Sequence, residues 1–554
     1  MSTQGLTRRE FLRGAALTGA GLVVAGCTPS VAPTATPAPK PTSAPPAAPT
    51  AAPTAAPTAV PGPKYGGVLR IATSLDATYL GNPPSMLSVQ DFVESKTRIE
   101  SLARYDATGQ MVPWLAEGWK TDADAKTITL TLKKGIKFHD GTDFNATACK
   151  WNIDHFVGAK RAELPGVKSV DVVDEYTLRI TLAAWDNTAI IGMGYFAGPQ
   201  ISPTAWQKAG ATDKERDDWC INNPVGTGPF QFVSRQKDVK QVYKKFAGYW
   251  QKGKPYLDGI EWNFIVDPMV QQASFRAKEQ DVLYLLTPLI ARDLKAAGFN
   301  ITELKTGLGL LMYGIMPNSA MPDSPFANVK ARQAISYAID SKVIADTQFF
   351  GYAIATQQWG VPDGYWANPN FKGYPLNPDK AKQLVAEAGY PNGIKTKMLV
   401  VNTPETVAAA TAVQGMLAKA NINAELDVAD NARYRQLTSQ TNFEGLCFAS
   451  YRADSDLAMV MPRNLSASGT IMVKSITHPD KIEKLLVEAK QAPDQQSKRA
   501  KIWELQQVVF EEYSIFTPML VVLALAAKQP YVRGDGLMVV EQTQWTPEDA
   551  WLDK

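Results

Sequence analysis

The chain has three histidines and four cysteines in 554 residues, and neither type is grouped. His139, His155 and His478 stand far apart, without the short spacing that lets imidazoles share a metal ion. They are expected in turns or at the surface, and no metal or other cofactor is implied. HExxH, GxSxG and the phosphate loop GxxxxGK[ST] are all missing. The triplet "GTG" at 226–228 lacks the further glycines and the helix that a phosphate loop needs, and reads as a tight turn entering a strand at Pro229. Nothing positive therefore supports an enzyme, although a catalytic carboxylate pair leaves no motif and a surface hydrolase stays a competing class.

Charge of one sign is also lacking. Fifty-seven Lys and Arg against 54 Asp and Glu leave +3, and removing residues 1–26, with Arg8, Arg9, Arg13 and Glu10, lowers this to +1. A near-neutral chain has no basic face for nucleic acid and no acidic tail. Long apolar runs are missing too. The longest after residue 64, "MLVVLALAA" at 519–527, is about half of the roughly 20 residues that span a bilayer as a helix, and is expected as one buried strand.

What is present begins with "TRREFLRGAALTGAGLVVAGC" at 7–27. Its apolar part, 14–26, is too short for a span, and a short apolar core behind a basic head is the pattern of a secretory signal. A buried helix here would need a covering element. The next segment, 28–64, is almost entirely Pro, Ala, Thr and Ser and cannot supply one, because proline removes backbone donors and fixes φ. That segment is expected to be an extended stalk of roughly 3 Å per residue, about 100 Å at full reach. "RREFL", with Arg8 and Arg9, resembles the twin-arginine export signal, and "VAGC" resembles the bacterial lipobox, in which the cysteine (here Cys27) is lipidated and becomes the new N-terminus. The remaining Cys149, Cys220 and Cys447 are odd in number and have no CxxC spacing. Small buried thiols are expected, and whether two of them form a disulfide stays open.

The 490 residues from 65 onward suffice for two or three core-bearing units. The first half alternates with period two: 66–74, 126–138 with Ile128, Leu130 and Leu132 on one face, 169–182 with a turn at Asp174 and Glu175, and a hairpin at 230–246 turning near Lys237 and Asp238. The second half changes character. Asn377 and Pro378 start a helix that Gly389 stops. A strand at 395–402, a helix from Thr403 to about Lys419 and a strand at 423–428 then predict a parallel pair. A further helix is predicted over 328–345, burying Val329, Ala334, Ala338 and Val343.

Four stretches, "ESLARYDATGQMVPWLAEGWKTDADAKTITLTLKKGIKFHDGTDFNA" (100–146), "NPVGTGPFQF" (223–232), "ARQAISYAID" (331–340) and "YPLNPDKAKQLVAEAGY" (374–390), together resemble the family 5 solute-binding proteins of bacterial ABC transporters, the dipeptide-, oligopeptide- and nickel-binding group. The resemblance covers essentially 65–554. It implies an α/β, two-lobed periplasmic-binding-protein-like fold with a ligand cleft between the lobes and an extra α+β subdomain in the first. The implied organisation is a signal at 1–26, a stalk at 27–64, a first lobe at 65–310 with its subdomain at about 95–222, a second lobe at 311–524, and a return to the first at 525–554. The implied function is capture of a peptide-like or other small polar solute by hinge closure, and delivery to permease and ATPase subunits by a monomer anchored through Cys27 at the extracytoplasmic face. An oligosaccharide ligand or a sensory role are the competing readings.

"SYRADSDLAM" (450–459) falls where peptide-binding relatives carry a glycine, a tryptophan and an aspartate that pairs with the ligand's terminal amine. Here Asp454 takes the aspartate position and Tyr451 the tryptophan position, while Ser450 replaces glycine and Arg452 a small neutral residue. A carboxylate in a closing cleft makes a charge-assisted bond to an ammonium, an aromatic face adds cation–π contact, and Arg452 brings a bidentate donor for carboxylate or phosphate unless it pairs with Asp454. Asp456 beside them, and Trp359 and Tyr365 in the turn-rich "QWGVPDGYW", complete the candidate ligand residues.

Overall fold

Alternating and helical segments assemble into three large sheets and two small two-stranded ones. The computed structural model describes residues 62–106, 110–161, 163–305, 310–453, 456–538 and 545–554. Arg8, Arg9, Cys27, nearly all of the predicted stalk, and Asp454 lie outside them. Strand Val68–Thr73 sits inside a mixed seven-stranded sheet of order Ile301–Leu304, Ala524–Lys528, Val282–Tyr284, Val68–Thr73, Gly259–Phe264, Lys240–Lys245, Phe230–Gln236. A second, six-stranded sheet runs Ala353–Ala355, Thr517–Val522, Leu310–Pro317, Leu446–Ala453, Ile394–Val401, Ile422–Ala429. The third is antiparallel: Ala116–Asp122, Thr127–Leu132, Thr177–Leu182, Val167–Asp174.

Local chemistry accounts for much of this. Thr127–Leu132 buries Ile128, Leu130 and Leu132 against Cys149, Ile153 and Phe156 of helix Ala146–Gly158, as period-two alternation requires. The hairpin of Phe230–Gln236 and Lys240–Lys245 turns through Asp238 at φ 58°, a left-handed conformation that Asp tolerates. The Asn377 side chain accepts the Lys380 amide to cap helix Pro378–Glu387, and Gly389 follows at φ +101°. The Thr403 side chain caps helix Pro404–Lys419, which links the parallel strands Ile394–Val401 and Ile422–Ala429 and packs on both.

Three expectations need correction. Helix 328–345 is two helices, Val329–Ala338 and Ser341–Thr347. Ile339 is extended (φ −100°, ψ 123°) and the Asp340 side chain accepts the Val343 amide as the cap of the second helix, an alternative to continued helix that short acidic side chains favour. Val329 is therefore only half-buried and Val343 is exposed. The run Met519–Ala527 is not one strand. Thr517–Val522 belongs to the six-stranded sheet and Ala524–Lys528 to the seven-stranded one, so the chain passes between sheets at Leu523. The chain does bend at 227–229 into strand Phe230–Gln236, and glycines 226 and 228 also serve close approach, since a Cβ there would lie 2.4 Å and 2.5 Å from the Arg98 backbone. The histidines are half-buried; His139 lies in a turn as expected, with Nε2 2.8 Å from the Gly228 carbonyl, whereas His155 lies inside helix Ala146–Gly158.

Cys149, Cys220 and Cys447 are buried and unbridged, and burial pushes the Cys220 and Cys447 thiols up to about 12. Among the described residues no helix is long and apolar enough to cross a membrane, and no cluster of His, Cys, Asp and Glu is placed to hold a metal ion.

Candidate functional site

Two passages of the chain connect the two largest sheets. The chain leaves the seven-stranded sheet after Leu304, enters the six-stranded one at Leu310, and returns through Leu523. At these passages Leu310 pairs with Ala453, and Leu311 with Val522. Strand Leu446–Ala453 therefore ends at the junction of the lobes, beside both crossings. Leu69, Ile71 and Trp262 of one sheet share a core with Met312, Cys447, Tyr451 and Val521 of the other, so the hinge side is packed.

Most of the sequence candidates gather here. The Tyr451 ring lies 5.2 Å from Trp359 and 5.0 Å from Phe516, its hydroxyl donates to Met472 Sδ at 2.9 Å, and burial holds its pKa well above the phenol range. Trp359 is fully buried. Its indole donates to the Arg452 carbonyl at 3.0 Å and its amide to Gln506 Oε1 at 2.9 Å, so it braces the strand end rather than presenting a face. The Arg452 guanidinium reaches the other lobe, 5.5 Å from the Tyr195 ring centroid. Asp456 caps helix Leu457–Leu465 by accepting the Ala458 amide at 2.9 Å. Its other oxygen accepts Lys498 Nζ at 2.6 Å, with the two side chains only 2% and 1% exposed. Tyr365 meets Trp366 edge-on and lies beside the Arg499 guanidinium, at 4.9 Å each. Burial raises its pKa, with the Asp456 field adding to that and Arg499 opposing it.

Several residues that the sequence reading missed bring the lobes together from the far side. Helix Thr188–Gly194 rises from the subdomain built on the four-stranded sheet. Its N-terminal amide of Thr188 is held by Asp186 Oδ1 at 2.9 Å, which releases the adjacent N-cap, Asn187, from its local role. Asn187 instead donates from its side chain to the Ala489 and Ala492 carbonyls, both at 2.9 Å, and from its backbone to the Lys490 carbonyl at 2.9 Å. Trp185 Nε1 donates to the Ala492 carbonyl at 3.2 Å. These carbonyls are the unpaired C-terminal ones of helix Asp480–Gln491 in the second lobe, which a helix always leaves free. The same short helix ends at Tyr195, under Arg452, and Met459 packs against the subdomain core. Both ends of one helix thus touch the opposite lobe. The only signal in sequence was Asp186 beside Asn187, two capping residues where one suffices.

Residues 110–470 match the family described as bacterial extracellular solute-binding proteins, family 5. The chain is 36% identical over 291 residues to the glutathione-binding protein GsiB of Salmonella choleraesuis (strain SC-B67), covering 51% of this chain and 54% of that protein. It is 33% identical over 344 residues to GsiB of Escherichia coli (strain K12), covering 61% and 64%. The chain thus spans little more than half the length of the curated relatives it matches. Among solved structures, the periplasmic binding protein DppA of Helicobacter pylori in complex with the peptide STSA superimposes with a TM-score of 0.72 at 23% identity, over 89% of this chain and 99% of that one. AgaA of A. tumefaciens R10 in complex with agropinic acid gives 0.70 at 22% identity, over 88% and 99%. These structural likenesses bear on the two-lobed fold.

Proposed function

We propose that this chain, which belongs to the bacterial extracellular solute-binding proteins of family 5, captures a peptide-like or other small polar solute between its lobes and delivers it to the permease and ATPase of an ABC importer. The observation that carries this reading is the helix Thr188–Gly194, whose two ends contact the opposite lobe through Asn187 and Tyr195. A subdomain that reaches across to free carbonyls is a closing device, and closure over a solute is the work of a hinge. The named relatives are binding proteins, not enzymes. The first lobe is assigned to 65–310 with its subdomain at about 95–222, the second to 311–524, and the C-terminal return to 525–554.

Asp454 is assigned to a ligand ammonium, with Tyr451, Trp359 and Asp456 shaping the wall behind it and Arg452 and Tyr365 facing the solute. The test is a thermal-melting panel of glutathione, tripeptides and oligosaccharides on the wild type and on Asp454→Asn. A ligand at a hundredfold excess over Kd stabilises by about 2.7 kcal/mol, a measurable rise in Tm. No response to any member of the panel would remove the reading, and equal responses in both proteins would remove Asp454 from it.

Membrane tethering follows from the order of "RREFL", "VAGC" and the proline-rich stalk. A binding protein held beside its transporter meets it at a raised effective concentration. Cys27→Ser is expected to move the protein from the membrane fraction to the soluble one. Retention in the membrane fraction would refute lipidation at Cys27.

A further inference from the structure

Helix Gln495–Gln507 carries two adjacent cations with opposite circumstances. Lys498 is paired with Asp456. Arg499 has no carboxylate: among the described residues it joins no ion pair and donates no hydrogen bond, and its Nε is shut from solvent without an acceptor. Two aromatic rings lie close to it, with Cζ 4.9 Å from the Tyr365 ring centroid and 4.5 Å from that of Trp503. The Trp503 indole nitrogen in the same stack is also buried without an acceptor. The stack is anchored from behind, since Asn368 Nδ2 donates to the Trp503 carbonyl and Gln506 Nε2 to the Trp366 carbonyl.

Its place in the fold is between two contacts that join the lobes. Seven residues earlier in the chain, the Ala492 carbonyl accepts from Trp185 and Asn187. On the other side, Lys498 meets Asp456 at the start of the helix whose Met459 packs on the subdomain. We propose that Arg499, held between Tyr365 and Trp503, is a subsite for a carboxylate of the captured solute. The inference rests on the solute-capture reading and narrows it to anionic solutes.

The chemistry follows from the guanidinium. It carries five N–H donors in a planar fork that matches a carboxylate two bonds at a time. Contact with two rings restrains the side chain, so little freedom is lost when the ligand arrives. A lysine in the same place would offer a point charge and lose both the fork and the stacking. Glutathione, the ligand named for the relatives GsiB, carries two carboxylates and fits this class.

The decisive experiment titrates the whole protein with sodium succinate at constant ionic strength and follows tryptophan fluorescence. The wild type is expected to give a saturable change, Arg499→Lys a response weaker by about tenfold, in line with the loss of a charge-assisted bidentate bond, and Arg499→Gln none. Folding of each variant is checked by its melting curve, and Trp503→Phe identifies the reporting indole. No saturable response in the wild type, or the same response in Arg499→Gln, overturns the subsite. A second arm compares tri-alanine with its C-terminal amide. The wild type is expected to favour the free acid by about tenfold and Arg499→Gln to show no preference, whereas an unchanged preference in Arg499→Gln overturns the assignment. If neither peptide binds but the succinate response depends on Arg499, the subsite stands and the peptide reading falls.

Discussion

Lys498→Met is expected to destabilise the protein by about 3–5 kcal/mol, the usual consequence of removing one partner of a buried ion pair. Lys498 Nζ and Asp456 Oδ2 are 2.6 Å apart with side chains 1% and 2% exposed, so no water replaces the lost ammonium. Asp456 keeps one stabilising contact, the Ala458 amide at the N-terminus of helix Leu457–Leu465, which offsets only part of the cost of an unpaired charge. The methionine stem fills the space of the lysine stem, which leaves charge as the main change. Asp456→Asn added to Lys498→Met should recover much of the loss, because asparagine caps a helix as well as aspartate does and carries no charge. The denaturant midpoint measures both. A Lys498→Met midpoint equal to the wild type, or a double variant no more stable than the single one, would contradict this account.

The second large effect is a loss of stability as pH rises. Glu94 is fully buried in helix Val89–Ser95. Burial raises its pKa from 4.5 to about 8, against the opposing hydrogen bonds from Gln90 and Gln241 and the field of Arg98. The folded chain holds this proton where the unfolded chain releases it. Its contribution is therefore complete below pH 4.5 and is lost as pH climbs to 8, on the order of 5 kcal/mol over that window. Glu548, raised by burial to about 7, acts in the same direction. His139 acts in the opposite one: burial lowers its pKa from 6.5 to about 4, so stability falls as pH drops through that interval. Between pH 6.5 and 8 the two glutamates dominate. Urea unfolding across pH 5–8 should show the wild type weakening toward alkaline pH and Glu94→Gln weakening much less. Equal slopes in the two proteins would rule out Glu94 as the source.

How much of this could be read beforehand depends on the range of the interaction. Asn377 and Thr403 cap their helices because a side-chain oxygen and an amide three residues on are neighbours in any chain that turns there. Ile128, Leu130 and Leu132 share a face for the same local reason. The run Met519–Ala527 shows the limit. Both strands in it are buried on both faces, so hydropathy is uniform through Leu523 and carries no mark of the passage from one sheet to the other. At the site, Tyr451 and Arg452 were visible through the resemblance. Lys498 and Asn187 were not, since their partners lie 42 to 305 residues away, and neither was Arg499, whose neighbour Tyr365 sits on a distant loop.

By itself, the sequence determined the period of each strand, the ends of its best-capped helices, the absence of any clustered metal or nucleophile signature, and the family. Those are properties of near neighbours and of long ordered motifs. Only the tertiary structure decided that Asp456 serves Lys498, that Asn187 leaves its own helix to bind the opposite lobe, and that Arg499 stands between two rings without a carboxylate. Each of those depends on which distant group the fold brings within about 3–5 Å, the range at which hydrogen bonds and cation–π contacts act, and one-dimensional spacing holds no record of that distance.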